Sequence, residues 1–459
     1  MKILFSIAPW DMWEDEDYSV YPLGLAYLSA ILEKNGHEVE VLSLSFSTIE
    51  DAEKKLSKKI EQFKPDIFGV SILSNSRVAA LKFFQLAKKI SPETILIAGG
   101  IHTTFMYEQI LTHYPIDFAV LGEADYTILE LLDAIKKKKS LDYFKNIKGI
   151  AFKNNNEIIK TEPRERIKNL DELPIPKHEF FREQIEKTKA AYVITSRGCP
   201  FGCSFCPSSA YWGRCIVQRS ASSIMKEIKY LLKNFPDLEK IYFVDDEFIC
   251  NNKRTIDLCK MIIKEGIKIK WVCLGRVSSM NDELVNWMKK AGCCQITFGV
   301  ESGSQRILDL LGKKVKVSQI IDAFNLCKKY DINISCLTIV GLPGENSKSV
   351  RETINLCKKL RINTEPAILI IFPGTEVYRI AKEKGLLTDE YWLGDALCPL
   401  YTCEHPKWRL WWWSFKTGLI TYYYDPNVSA YDFFYDKILK KFKPSLFIRI
   451  FKRYITDRT

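Results

Sequence analysis

Three cysteines stand within eight residues in Arg197-Gly-Cys-Pro-Phe-Gly-Cys-Ser-Phe-Cys206, at Cys199, Cys203 and Cys206. The spacing C-x3-C-x2-C gathers three soft thiolates on one loop and brings no fourth ligand. A structural zinc site asks for four ligands in a closed tetrahedron, and no histidine lies within twenty residues of the loop. Three thiolates suit a four-iron, four-sulfur cluster held at three corners, since such clusters are bound through cysteine sulfur. The fourth iron then stays open to a small chelating ligand. Pro200 and Gly202 favour a tight loop whose amides can hydrogen-bond the sulfides, and Phe205 is placed to pack over one face and limit water. The competing readings are three core thiols or part of a zinc knuckle.

Further polar groups follow apolar runs along the chain. Asp245-Asp246-Glu247 follows Lys240-Val244, and Asp245 and Asp246 also suit the cap of a following helix. Gly299-Val-Glu-Ser-Gly-Ser304 places Glu301 and Ser302 after another such run; its plain reading is a capping box. Gly341-Leu-Pro-Gly-Glu345 reads alone as a turn, with glycine permitting close backbone approach. Phe372-Pro-Gly-Thr375 ends a later run and is placed to wall a pocket. Arg276 is a single cation, with a surface position as its plain alternative.

The elements that must position these groups fall into two alternations. In residues 1–140 the apolar runs Lys2-Ala8, His37-Ser43, Ile67-Leu73, Thr94-Gly99 and Phe118-Leu121 read as strands. Helical patterns cover Pro22-Asn35, Ile49-Phe63, Val78-Ile90 and Tyr126-Lys137. This predicts a doubly wound, mostly parallel sheet with its ligand site beyond the strands' carboxyl ends. Residues 141–190 read as a connector with a hairpin around Asn154-Asn155-Asn156 and an extended LDELPIPK. From 191 to 385 six strand–helix units follow, on Ala191-Thr195, Lys240-Val244, Lys270-Leu274, Gln295-Val300, Asn333-Val340 and Ala367-Phe372. Six units predict a partial (β/α)6 barrel with its site at the strands' C-terminal mouth. Residues 386–459 form an aromatic, basic and mostly helical cap.

CxxxCxxC with an aromatic residue before the last cysteine, after the first strand of a six-unit barrel, resembles the radical S-adenosylmethionine superfamily. The resemblance covers roughly residues 190–380 and implies a 4Fe-4S cluster whose open iron binds the amino and carboxylate groups of S-adenosylmethionine. It implies that Glu247 contacts the methionine amine, Arg276 the carboxylate, Glu301 and Ser302 the ribose, and Gly341 the adenine. The family's commoner Gly-Gly-Glu is replaced here by Asp245-Asp246-Glu247. The domain ahead of the barrel, with YPLGLAYLSAIL, Gly99-Gly100-Ile101-His102, Val120-Leu-Gly-Glu123 and LDELPIP, resembles the class with an N-terminal cobalamin-binding domain. That implies cobalamin against Gly99, Gly100, His102, Gly122 and Glu123. The D-x-H-x-x-G motif that supplies a cobalt histidine in many cobalamin proteins is missing. The implied reaction is methylation of an unactivated carbon through a 5′-deoxyadenosyl radical, with a one-electron reductant such as flavodoxin or ferredoxin. The alternatives are radical cyclisation, ring contraction or carbon–carbon coupling, and, in another class, a non-catalytic cobalamin or metal sensor.

Composition sets the remaining bounds. The chain has 459 residues, 47% hydrophobic, with a formal charge of +11. Apart from the loop and the adjacent Cys293-Cys294, its 14 cysteines fall singly, many on apolar patterns; Cys273, Cys293, Cys294 and Cys336 read as small apolar residues, which suits a reducing, cytoplasmic compartment. The start, MKILFSIAPWDMWEDED, turns acidic after one lysine, unlike a signal peptide. No uncharged apolar run reaches about 18 residues, so no transmembrane helix is expected. Asp436 to the end carries eight Lys/Arg and two Asp, with Phe447, Ile450, Phe451 and Tyr454 on one helical face. That pattern suits peripheral membrane contact or docking on the protein's own core. A lipid-like or other small-molecule substrate is expected, and no nucleic acid, because no binding module surrounds the aromatic and basic residues. Cys398, Cys403 and His405 form an incomplete metal set.

Overall fold

The computed structural model describes residues 1–10 and 21–424, apart from the single positions 46 and 156. Lys2–Ile7 (β1), Glu38–Ser43 (β2), Ile67–Ser71 (β3), Ile95–Gly99 (β4) and Phe118–Val120 (β5) pair in parallel, in the order β2-β1-β3-β4-β5. Ile3 to Ile7 are all buried. Strands covered on both faces need continuous apolar runs rather than alternation. The order reverses between β1 and β3, which opens a crevice at their carboxyl ends. The helices Leu23–Lys34, Ile49–Phe63, Arg77–Ile90 and Thr127–Lys136 fall on the expected spans. A further helix, Ile101–His113, is broken by non-helical φ/ψ at Met106.

The hairpin of the connector, Ile150–Asn154 (β6) and Glu157–Lys160 (β7), turns at Asn155 with φ +54°. β6 pairs antiparallel with β5, so the hairpin extends the first sheet to seven strands.

The second sheet begins at Ala190–Val193 (β8). Ser196–Gly198 (β9) and Ile216–Gln218 (β10) form an antiparallel ribbon beside it. Lys240–Phe243 (β11), Lys270–Gly275 (β12), Cys293–Glu301 (β13), Asn333–Val340 (β14) and Ala367–Ile368 (β15) complete a parallel, six-stranded partial barrel, ordered β15-β14-β13-β12-β11-β8. Asn251, Asn281 and Asn346 cap the helices that follow β11, β12 and β14. Each such cap contributes about 1 kcal/mol and starts its helix close to the strand end, which leaves the carboxyl ends gathered at one mouth.

One apolar cluster runs from Ile3 and Phe118 through Tyr21 and Phe181 to Tyr192 and Ile241, and so joins the two sheets. Tyr21 stacks on Phe181 at 4.7 Å and shares a hydrogen bond with His178 Nδ1 at 2.8 Å. His178 Nε2 meets Glu227 Oε1 at 3.0 Å, and Glu227 also pairs with Arg219. Removing one partner of this buried set leaves an unpaired charge, at a cost of about 3–5 kcal/mol.

Candidate active site

The cysteine loop is pinned at both ends by the ribbon, since β9 ends at Gly198 and β10 begins at Ile216. Gly198 has φ +89°, and a Cβ there would lie 2.3 Å from Cys215 O. Within the loop, Cys206 N donates to Cys203 O at 3.1 Å; Ser204 N donates to Leu311 O at 3.0 Å, and Val377 N to Ser204 O at 3.2 Å. Pro207 starts the short helix Pro207–Trp212. All three cysteines are half-buried, and Cys206 lies within electrostatic reach of both Cys199 and Cys203. Burial pushes the Cys199 thiol up to about 12 and the Cys206 thiol upward as well. Such thiols keep their protons until a bound metal displaces them, which fits ligands better than nucleophiles. Among the described residues no three His, Cys, Asp or Glu side chains are arranged around a single ion; a cubane, with its irons at separate corners, asks for thiols further apart. Phe205 packs against the apolar cluster that contains Leu311 and Ile371.

Around the loop the barrel supplies charged groups. Arg276 lies over the Phe201 ring, 3.6 Å from its centroid, and its Nε donates to Ser278 Oγ at 3.2 Å. Its Nη2 is buried with no partner, an orphan donor that suits a carboxylate ligand. Glu247 is buried and accepts the Arg276 amide at 3.3 Å; burial pushes its carboxyl up to about 7, against the opposing pull of Arg276. Asp245 does not cap the next helix. It is fully buried, accepts from Thr195 N at 2.8 Å, Thr195 Oγ1 at 3.0 Å and Ser196 Oγ at 2.8 Å, and so fixes the corner from β8 to β9. Asp246 accepts from Ser208 Oγ at 2.6 Å.

Glu301 has φ +63°, at a register shift between β13 and β14, and pairs with Lys313 at 2.8 Å. Left-handed backbone at a non-glycine residue costs of order 1–3 kcal/mol and gathers at functional sites. No capping box forms here: the following helix starts at Gln305 without a side-chain cap. Ser302 is fully buried, its hydroxyl 3.3 Å from Thr353 Oγ1 of the helix Ser347–Leu360 and accepting from Ser304 N at 3.2 Å, so its partners lie within the protein. Gly341 has φ +83°, donates to Glu345 Oε2 at 2.6 Å and is covered by Leu410. Thr375 caps the helix Glu376–Glu383, and Gly374 lies against Phe105 of the first domain.

A cavity of about 360 Å³ opens between the two domains. Its walls include Gly69, Gly99, Gly100, Gly122 and Glu123 from the first domain, and Arg197, Tyr211, Trp212 and Asp246 from the second. Gly100 has φ +95° and sits so close to Ile72 that a Cβ would be 2.6 Å from its carbonyl oxygen; Gly99 faces open space. Glu123 borders the cavity but already accepts from Arg197 at 2.7 Å and from Ile167 N at 3.0 Å. His102, expected beside the cofactor, is not among the lining residues. It is buried, 3.0 Å from Ser74 Oγ through Nδ1 and edge-on to Trp392; burial and Arg77 push its pKa down to about 3.

Sequence reasoning missed Arg197, which grips Glu123 at 2.7 Å and Asp125 at 2.7 and 3.0 Å, and Tyr211, whose hydroxyl donates to Gly122 O at 2.7 Å. Their signal was position, beside and just after the cysteine motif. Cys273 and Cys293 are buried, Cys294 and Cys336 half-buried. His405 is engaged with Glu345 O at 2.8 Å and lies against Trp413. The amphipathic segment around Phe447 to Tyr454 lies outside the described residues, among which no helix is long and apolar enough to cross a membrane.

Residues 16–132 match the B12 binding domain family and residues 193–357 the Radical SAM superfamily. The chain is 34% identical over 383 residues to a protein of Pyrococcus horikoshii named an uncharacterized methyltransferase, covering 81% of this chain and 80% of that one. It is 29% identical over 342 residues to the anaerobic magnesium-protoporphyrin IX monomethyl ester cyclase of Cereibacter sphaeroides, covering 72% of this chain and 55% of the cyclase. Among solved structures it resembles TsrM, a radical S-adenosylmethionine methyltransferase from Kitasatospora setae, with a TM-score of 0.70 at 18% identity over 84% of this chain and 76% of that chain. A doubly wound domain leading into a partial barrel, with three thiols on the loop that follows the first barrel strand, within its ribbon, defines a radical S-adenosylmethionine enzyme with a cobalamin-binding domain. The chain belongs to that family, in which the methyltransferases are found, and its cofactors are a 4Fe-4S cluster, S-adenosylmethionine and cobalamin.

Proposed function

We propose that the protein methylates an unactivated carbon of a small, lipid-like molecule. The observation that carries this reading is the cavity whose walls come from both domains, with the glycine rim on one side and Asp246, Arg197 and Gly198 on the other. When bound, the cluster, S-adenosylmethionine and cobalamin supply the one-electron chemistry and the methyl group. The chain's residues hold and orient. Cys199, Cys203 and Cys206 bind iron as thiolates. Arg276 offers its unpartnered Nη2 to the methionine carboxylate, and Glu247 accepts from the amine. Glu301, steadied by Lys313, takes the ribose hydroxyls; Gly341, expected beside the adenine, is covered by Leu410 and is given no such role. Gly99, Gly100 and Gly122 admit a flat macrocycle, and Glu123 serves the rim through Arg197. His102 is engaged with Ser74, so this reading gives cobalt no imidazole from the rim. Phe5, Leu25, Ile97 and Ile128 keep the cavity apolar, which limits side reactions of radicals with water. A flavodoxin or ferredoxin supplies the electron.

The test uses anaerobically reconstituted protein, a reductant and methyl-labelled S-adenosylmethionine, with small-molecule extracts as substrate source. The expected product carries one added labelled methyl on carbon. A rearranged or cyclised product without label contradicts the proposal and favours the cyclase chemistry.

A further inference from the structure

The helix Lys407–Tyr423 is apolar on two opposite faces. Leu410, Trp413, Thr417 and Thr421 are buried and dock it on Val340, Val350 and Ile354, with Ser414 Oγ donating to Pro366 O at 2.7 Å and Thr421 Oγ1 to Thr364 O at 2.9 Å. The outward face would ordinarily be polar. Here it carries Trp408, Trp411, Trp412, Phe415 and Tyr423, each more than half exposed (53–76%). Contiguous exposed apolar surface of this kind marks an interaction site.

We propose that this face seats the protein on an anionic lipid bilayer. The side chains are aromatic, and indole and phenol rings favour the headgroup level of a membrane. The surroundings are cationic. Residues 407–424 contain Lys407, Arg409 and Lys416 and no acidic residue. The neighbouring helix Ser347–Leu360 exposes Lys348, Arg351 and Lys359. The chain beyond residue 424 is basic overall, with eight Lys/Arg against four Asp. A basic segment of the same chain, or a second copy of the basic face, would add repulsion where an anionic bilayer adds attraction at each nearby Lys or Arg. The inference stands apart from the reaction proposed above and concerns a different surface from the cavity.

The experiment is sedimentation of the full chain with vesicles of phosphatidylglycerol and phosphatidylcholine, against phosphatidylcholine alone. The wild type is expected to bind the anionic vesicles, more weakly at high salt. Combined Trp408→Ser, Trp411→Ser, Trp412→Ser and Phe415→Ser is expected to lower that partition about tenfold or more, with circular dichroism and iron content unchanged. A second variant, Phe447→Ser with Phe451→Ser, is expected to keep most of the binding. The proposal is overturned by any of three results: no preference of the wild type for anionic vesicles, loss of binding in the second variant only, or a wild-type dimer that ignores vesicles and that the first variant converts to monomer.

Discussion

The mouth of the barrel and the glycine rim of the first domain are built by opposite means. On the barrel side chemistry lies in side chains: three thiols, Arg276 with its unpartnered Nη2, and Glu247, whose carboxyl burial pushes up to about 7. On the first-domain side it lies in missing side chains, where Gly99 and Gly122 face open space and Gly100 passes too close to Ile72 for any Cβ. One rim grips small charged groups; the other makes room for a large flat one. The difference teaches that a substitution should disable one cofactor and spare the other. Arg197, which ties Glu123 and Asp125 to the ribbon that leads into the cysteine loop, keeps the rims in register.

The largest effect is expected at the thiols. Cys199→Ala, Cys203→Ala or Cys206→Ala should cut release of 5′-deoxyadenosine by about a thousandfold or more, measured by chromatography, and leave corrinoid binding intact. Next comes Arg276→Met, expected to weaken S-adenosylmethionine binding about 10- to 100-fold by equilibrium dialysis, with the cluster retained. Gly99→Leu should then lower corrinoid affinity about tenfold or more by filling open space, read from absorbance after desalting. His102→Ala, as control, should leave that affinity unchanged, because the ring does not line the cavity.

The smallest effect concerns pH. Burial lifts Glu345 to about 7, above its unfolded value of about 4.5, so between those values the folded chain holds a proton that the unfolded chain has lost. The contribution is intact below the unfolded value and is lost as the pH rises toward 7. Glu345→Gln should therefore match the wild type near pH 4.5 and gain on the order of 1–2 kcal/mol by pH 8 in urea unfolding of the apoprotein. A constant difference across that range would break the assignment.

What could be read from sequence was local. The cysteine spacing, the glycines at strand ends and the six barrel strands each depend on neighbours a few residues away. What could not be read depends on distant partners. Arg197 meets Glu123 across 74 residues. His102 sits next to the glycine pair in sequence, yet Ser74 and Trp392 decide where its ring points. The hairpin at Asn155 was visible, but its pairing with β5 was not. The helix from Ile101 escaped because its apolar residues form no clear stripe and its geometry breaks at Met106. In the Trp-rich helix, composition could not separate the buried Trp413 from the exposed Trp412.

The most direct measurement is the paired cofactor content of two variants, Cys203→Ala and Gly99→Leu, after anaerobic reconstitution with iron, sulfide and cobalamin. The account expects the first to lose the cluster and keep the corrinoid, and the second to do the reverse. Both variants losing both cofactors, or neither losing one, would contradict it.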